Sequence, residues 1–83
     1  MGYHTRKIKR GEFGKYSKII EEFEEFQDAH EQKNKIMELI ELSDLLGAIE
    51  AYTKDYYDIS LDDLIIMKNA TKSAFQKGKR QPL

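Results

Sequence analysis

The chain has no cysteine, so neither a disulfide nor a zinc-thiolate centre is available to brace a small fold. It has one proline, Pro82, and sparse interior glycines, so little interrupts long helices. No apolar run approaches the roughly 20 residues of a membrane span, and residues 1–10 lack the apolar stretch of a signal peptide. A P-loop, a dinucleotide fingerprint and the Ser/His/Asp or Cys/His sets of nucleophilic hydrolases are missing as well. These absences predict a soluble, cytoplasmic, mostly helical protein without membrane contact.

At 83 residues the chain makes one domain, 1–83, whose core alone is marginal, so oligomerisation is the expected remedy. Its net charge of −1 hides an uneven layout: residues 1–18 carry six Lys/Arg and one acid, 19–63 carry three Lys/Arg and fourteen acids, and 64–83 carry five Lys/Arg and no acid. An acidic middle between basic ends argues against nucleic acid, which more often meets a single net-basic face. It suits cations held centrally, with basic side chains reaching toward phosphates.

The pattern predicts an all-α fold, an antiparallel bundle of three main helices, with residues 1–13 as an N-terminal arm and 78–83 as a C-terminal tail. Helix one runs from Gly14 or Lys15 to about Glu31, with Tyr16, Ile19, Ile20, Phe23 and Phe26 on its apolar face and Glu21, Glu24 and Asp28 toward water. Asn34 caps a second helix from Lys35 to about Tyr56. Asp58-Ile59-Ser60 breaks the pattern, Ser60 and Asp63 resemble a capping box, and helix three extends from Leu61 to about Lys77, stopped at Gly78. Apolar residues surround nearly the whole of helix two, so it is expected to be buried on more than one side.

Two acidic pairs carry the chemistry. Glu22/Glu25 and Glu41/Asp44 are each spaced i, i+3, which puts each pair on one face of its helix. Glu41 and Asp44 fall in an arc otherwise lined by Met37, Ile40, Leu45, Ala48, Ala51 and Tyr52, where an unpaired carboxylate costs several kcal/mol. Four converging carboxylates repel one another and call for a hard cation, Mg2+ first and Mn2+ second. The bland reading, a solvated helix surface, fits Glu21, Glu24, Asp28, Glu38 and Glu50 better.

Glu21-Glu22-x-x-Glu25, fifteen intervening residues, then Glu41-x-x-Asp44 resembles the signature of the MazG-like all-α nucleoside triphosphate pyrophosphohydrolases. Lys18-Ile19-Ile20 before the first motif and Leu45-Leu46-Gly47-Ala48 after the second are similar to the apolar helices that embed those motifs. The resemblance implies Mg2+-dependent hydrolysis of a nucleoside triphosphate to the monophosphate and pyrophosphate by a homodimer or homotetramer. It implies Glu22, Glu25, Glu41 and Asp44 as metal ligands, with Glu21 assisting from behind them or orienting water. Lys68, Asn69 and Lys72 look like the phosphate-contacting end of the family's third helix, and Lys18 joins them as a substrate contact. Tyr3, Phe13, Tyr52 and Phe75 are candidates for stacking on a base. Tyr56-Tyr57 reads as packing at a helix end, and His4 as an exposed tail residue rather than a catalytic base. The alternative is a non-catalytic helical oligomer or regulatory protein, whose acids serve only as ion-pair partners for Lys18 or a neighbouring subunit.

Overall fold

The computed structural model describes residues 4–76, with residues 73–76 described by their backbone alone. Among them the protein is all-helical: α1 spans Tyr16–Glu31, α2 Lys35–Tyr57 and α3 Leu61–Gln76. These bounds lie within a residue or two of the sequence-based ones. Tyr3, the stop at Gly78, the 78–83 tail and the side chain of Phe75 lie outside the described residues.

Each helix end has a local cause. Lys33 adopts a left-handed conformation (φ 58°), and its N–H bonds to the His30 carbonyl at 3.0 Å while Asn34 N–H bonds to Ala29 at 3.2 Å. Together they form a Schellman closure of α1. Asn34 then accepts the Met37 N–H at 3.1 Å through Oδ1, capping α2 as expected. Left-handed Asp58 (φ 56°) ends α2, and the Ser60 hydroxyl accepts the Asp63 N–H at 3.1 Å to open α3.

α2 packs chiefly on α1 and only slightly on α3, and among the described residues the α3 backbone does not approach that of α1. The buried side chains among the described residues are unusual in composition: alongside Ala29 and Ala48 they are Glu21, Glu22, Asp28 and Glu41. Many apolar side chains remain outside: Tyr16, Ile20 and Phe23 on α1, and Ile36, Leu39, Ile40, Leu42 and Leu46 on α2, with Leu39 70% exposed. The radius of gyration is 15.2 Å, against about 12 Å for a compact chain of this length.

Two expectations fail on α1. Glu21 and Asp28 do not face water; they are 9% and 0% exposed. The cause is the N-terminal arm, which folds back along α1 and covers the face that a helical wheel assigns to solvent. Thr5 meets Asp28, Arg6 reaches the Glu24 carbonyl at 3.4 Å, and Gly11 N–H donates to Glu21 Oε1 at 2.8 Å. The approach at Gly11 is close enough that a Cβ there would sit 2.3 Å from the Ser17 carbonyl oxygen, so only glycine fits. At Gly14 the chain turns into α1 with φ 83°, again a glycine conformation.

The Asn34 cap generates a stability prediction. Asn34→Ala is expected to lower unfolding free energy by about 1 kcal/mol, read as a shift of the urea midpoint at unchanged slope. An unmoved midpoint would show that the Schellman turn alone fixes the start of α2.

Candidate metal centre

Helix periodicity brings the acidic pairs to the seam between α1 and α2. Carboxylate oxygens of Glu22, Glu41 and Asp44 lie within 4.8 Å of one another, as do those of Glu21, Glu22 and Glu25. A third set joins them: His4, Glu25 and Glu41 offer ligand atoms within the same distance. All five acids expected at the site therefore gather in overlapping groups. Glu41 has no exposed surface, Glu22 is nearly as buried, and Asp44 stands exposed at the mouth. The expectation that Asp44 is shielded from bulk water is thus not met.

Charge compensation inside this cluster is partial. Lys18 Nζ lies 3.1 Å from Glu21 Oε1 and 3.0 Å from Glu22 Oε2, so one cation serves two acids. Burial opposes the charge on Lys18, but its hydrogen bonds to Glu22 and Glu21 outweigh that and raise its pKa. Burial likewise opposes the charge on Glu21, yet the Gly11 N–H and Lys18 hold its carboxyl below the ordinary range. Glu25 has no such help. Burial first, then the charges of Glu22 and Glu41, push its carboxyl up to about 8. Asp44 is raised too, by burial and by Glu41. The side chain of Glu22 is 9% exposed, and its Oε1 meets no hydrogen-bond donor among the described residues.

Behind the cluster stands Asp28. It accepts the Thr5 N–H at 2.9 Å, the Thr5 hydroxyl, His4 Nδ1–H at 2.7 Å and Gln32 Nε2–H at 3.0 Å. The Thr5 hydroxyl above all, against the cost of burial and aided by His4, the Thr5 N–H and Gln32, holds this carboxyl well below the usual carboxylate range. His4 is not the exposed tail residue that its basic surroundings suggest. Its side chain is 14% exposed, with Nε2 3.5 Å from Glu41 Oε2 and 3.8 Å from Glu25 Oε1. Sequence reasoning missed both residues. For Asp28 a signal existed: it continues the i, i+3 row of Glu22 and Glu25. For His4, on a segment without periodicity, none did.

The proposed phosphate contacts fare unevenly. Lys18 is at the cluster, though engaged by its acids, whereas Lys68, Asn69 and Lys72 lie on the exposed surface of α3, a helix whose described backbone does not approach that of α1. A cleft of about 270 Å³ opens beside Glu22 and Asp44, walled by Phe13, Lys18, Ser43, Gly47 and Ala48. It adjoins a larger cavity of about 540 Å³ that shares Phe13 and Gly47 and extends to Glu50, Lys54 and Asp55. Tyr52 belongs instead to a ring cluster with Tyr56 and Tyr57, at centroid distances of 5.1 and 6.0 Å. No protein-family model, curated protein or solved structure matches the chain. The resemblance to the MazG-like proteins therefore stands on the two acidic motifs.

The state of Glu25 sets a pH dependence for the metal-free protein. Its folded pKa lies above the ordinary 4.5, so its stabilising contribution is complete below pH 4.5 and is lost as pH rises through about 8. With chelator present, the melting temperature should fall from about pH 5 to about pH 9, and Glu25→Gln should flatten that fall. A wild-type melting temperature that holds or rises across this range would contradict the assignment.

Proposed function

We propose that the protein is a divalent-metal-dependent nucleoside triphosphate pyrophosphohydrolase. The observation that carries this reading is the convergence of Glu22, Glu41 and Asp44 from two helices, with a buried Glu22 oxygen that no donor among the described residues satisfies. A buried carboxylate oxygen without a partner is costly, and a cation at the seam removes the cost. Oxygen donors of this number suit Mg2+, which keeps part of its water shell and accepts phosphate oxygens. Glu22, Glu25, Glu41 and Asp44 would hold it, and it would lend Lewis acidity at the triphosphate.

The chain's own groups supply the rest. A triphosphate entering beside Asp44 meets Lys18 on the cleft wall and, past Phe13, a cavity large enough for a base. Phe13 is 74% exposed between the two spaces and offers a stacking face. A water molecule adds its oxygen to the α-phosphorus as the bond to the bridging oxygen breaks, and pyrophosphate leaves. A carboxylate of the cluster, with Glu21 behind it, accepts the proton of that water. No covalent enzyme intermediate is required.

The antiparallel bundle and its completion by further copies belong to the same proposal. Ile36, Leu39, Ile40, Leu42 and Leu46 form an apolar surface on α2 that α1 and α3 leave open. Such a surface is the expected seat of a second protomer. One observation favours the alternative, a non-catalytic helical oligomer: Lys18 already neutralises part of the acidic seam.

Incubation of a panel of nucleoside triphosphates with Mg2+ should yield monophosphate and pyrophosphate in one step. Glu41→Gln and Asp44→Asn should each reduce turnover at least about a thousandfold with helicity retained. Orthophosphate with diphosphate would mean different chemistry, and full activity in both variants would remove the acids from the site. Light scattering at micromolar concentration should give a dimer or tetramer; a compact monomer would refute the assembly.

A further inference from the structure

The imidazole of His4 is held in an arrangement that a purely structural residue does not need. Asp28 is already bonded by the Thr5 N–H, the Thr5 hydroxyl and Gln32, so the arm can be latched without a ring. The ring nevertheless donates Nδ1–H to Asp28 at 2.7 Å, since an ionised carboxylate can only accept. With Nδ1 turned to Asp28, Nε2 lies on the opposite edge of the ring. Nε2 lies 3.5 Å from Glu41 Oε2 and 3.8 Å from Glu25 Oε1. Two donors that each bind one ion at about 2.1 Å are about 3.0–3.4 Å apart, so the ring nitrogen is within a few tenths of an ångström of that spacing from each carboxylate, and the three ligand atoms lie within 4.8 Å of one another. A carboxylate behind an imidazole whose far nitrogen faces further donors is the usual support of a metal-bound histidine.

A second, independent observation points to a cation at this seam. Glu22 is nine-tenths buried, shares the seam with Glu25 and Glu41, and has an oxygen that meets no donor among the described residues.

We infer that His4 Nε2, Glu25 and Glu41 form a mixed nitrogen and oxygen position for a first-row transition ion, Mn2+ or a later member of that row, beside the all-oxygen position of Glu22, Glu41 and Asp44. This rests on the proposed function only in supposing that the acidic seam holds a divalent cation. Imidazole nitrogen favours transition ions over Mg2+, which prefers oxygen and water. The N-terminal arm is thus a ligand donor, and the protein discriminates among divalent cations through a residue outside both acidic motifs.

Mn2+ supplies the test, because its pulsed electron paramagnetic resonance spectrum reports a directly bound nitrogen without reference to turnover. The full-length protein with one equivalent of Mn2+ should show a 14N coupling that becomes a 15N coupling after histidine labelling. His30→Gln should keep that coupling, since His30 is exposed and pairs with Glu38 at 3.2 Å, away from the cluster. His4→Gln should abolish it and weaken Mn2+ binding about tenfold or more, with Mg2+ binding little changed. Bound Mn2+ without histidine coupling in the wild type overturns the inference and leaves pyrophosphohydrolysis untouched. Absence of Mn2+ binding up to millimolar concentration overturns it as well. Coupling seen in a protein that turns over no triphosphate upholds the ligand and overturns the pyrophosphohydrolase reading.

Discussion

Negative charge held inside a helix pair is the constraint around which the protein is arranged. Glu41 is wholly enclosed and Glu22 nearly so, in a seam that in most small helical proteins would be filled by leucine and valine. Mutual repulsion and lost hydration both act against this placement. Lys18 answers part of the charge, the protonated tendency of Glu25 answers another part, and the arm delivers an imidazole to the remainder. The scarcity of buried apolar side chains follows from the same constraint, because the centre of the α1–α2 contact is given over to carboxylates. The outer faces of Phe23, Leu39 and Leu46 are left with the apolar surface that such a chain would normally place within.

The helices were legible in the sequence because their signals are local. Asn34, Ser60 and the Asp58 turn act within a few residues, and each does in the structure what its chemistry implies. The acids at i, i+3 were legible for the same reason, since a helix of known period fixes which side chains share a face. Asp28 was misread because the same wheel that puts it opposite the apolar face of α1 says nothing about a non-helical segment laid over that face. His4 was misread for a related reason: its place depends on contacts 21 to 37 positions away in sequence, with Glu25, Asp28 and Glu41. Burial of helix two on several sides was anticipated from its all-round apolar character, yet within one chain only Ala48 and Glu41 on that helix are buried. Periodicity tells how much surface wants covering and is silent on which molecule covers it.

Asp28 links the fold to the site in a way that neither acidic motif does. It lies on the last full turn of α1, and its partners come from the arm (His4, Thr5) and from the residue just past the helix (Gln32). One carboxylate therefore fixes the end of α1, the course of the arm and the orientation of the ring that faces Glu25 and Glu41. The chemistry at the seam is tuned from behind by a group that does not itself face the cleft.

The arm is fastened to α1 mostly by discrete polar contacts at Asp28, Glu24 and Glu21 rather than by a continuous apolar strip, and most of its residues are exposed. Segments held in this manner open at a small fraction of the free energy needed to unfold the domain. The enclosed carboxylates thus have a path to solvent that leaves α1 and α2 paired. Detachment of the arm would bare Asp28 and Glu21 while α1 and α2 stay paired, so a global unfolding event is unnecessary for this interior charge to equilibrate with its surroundings.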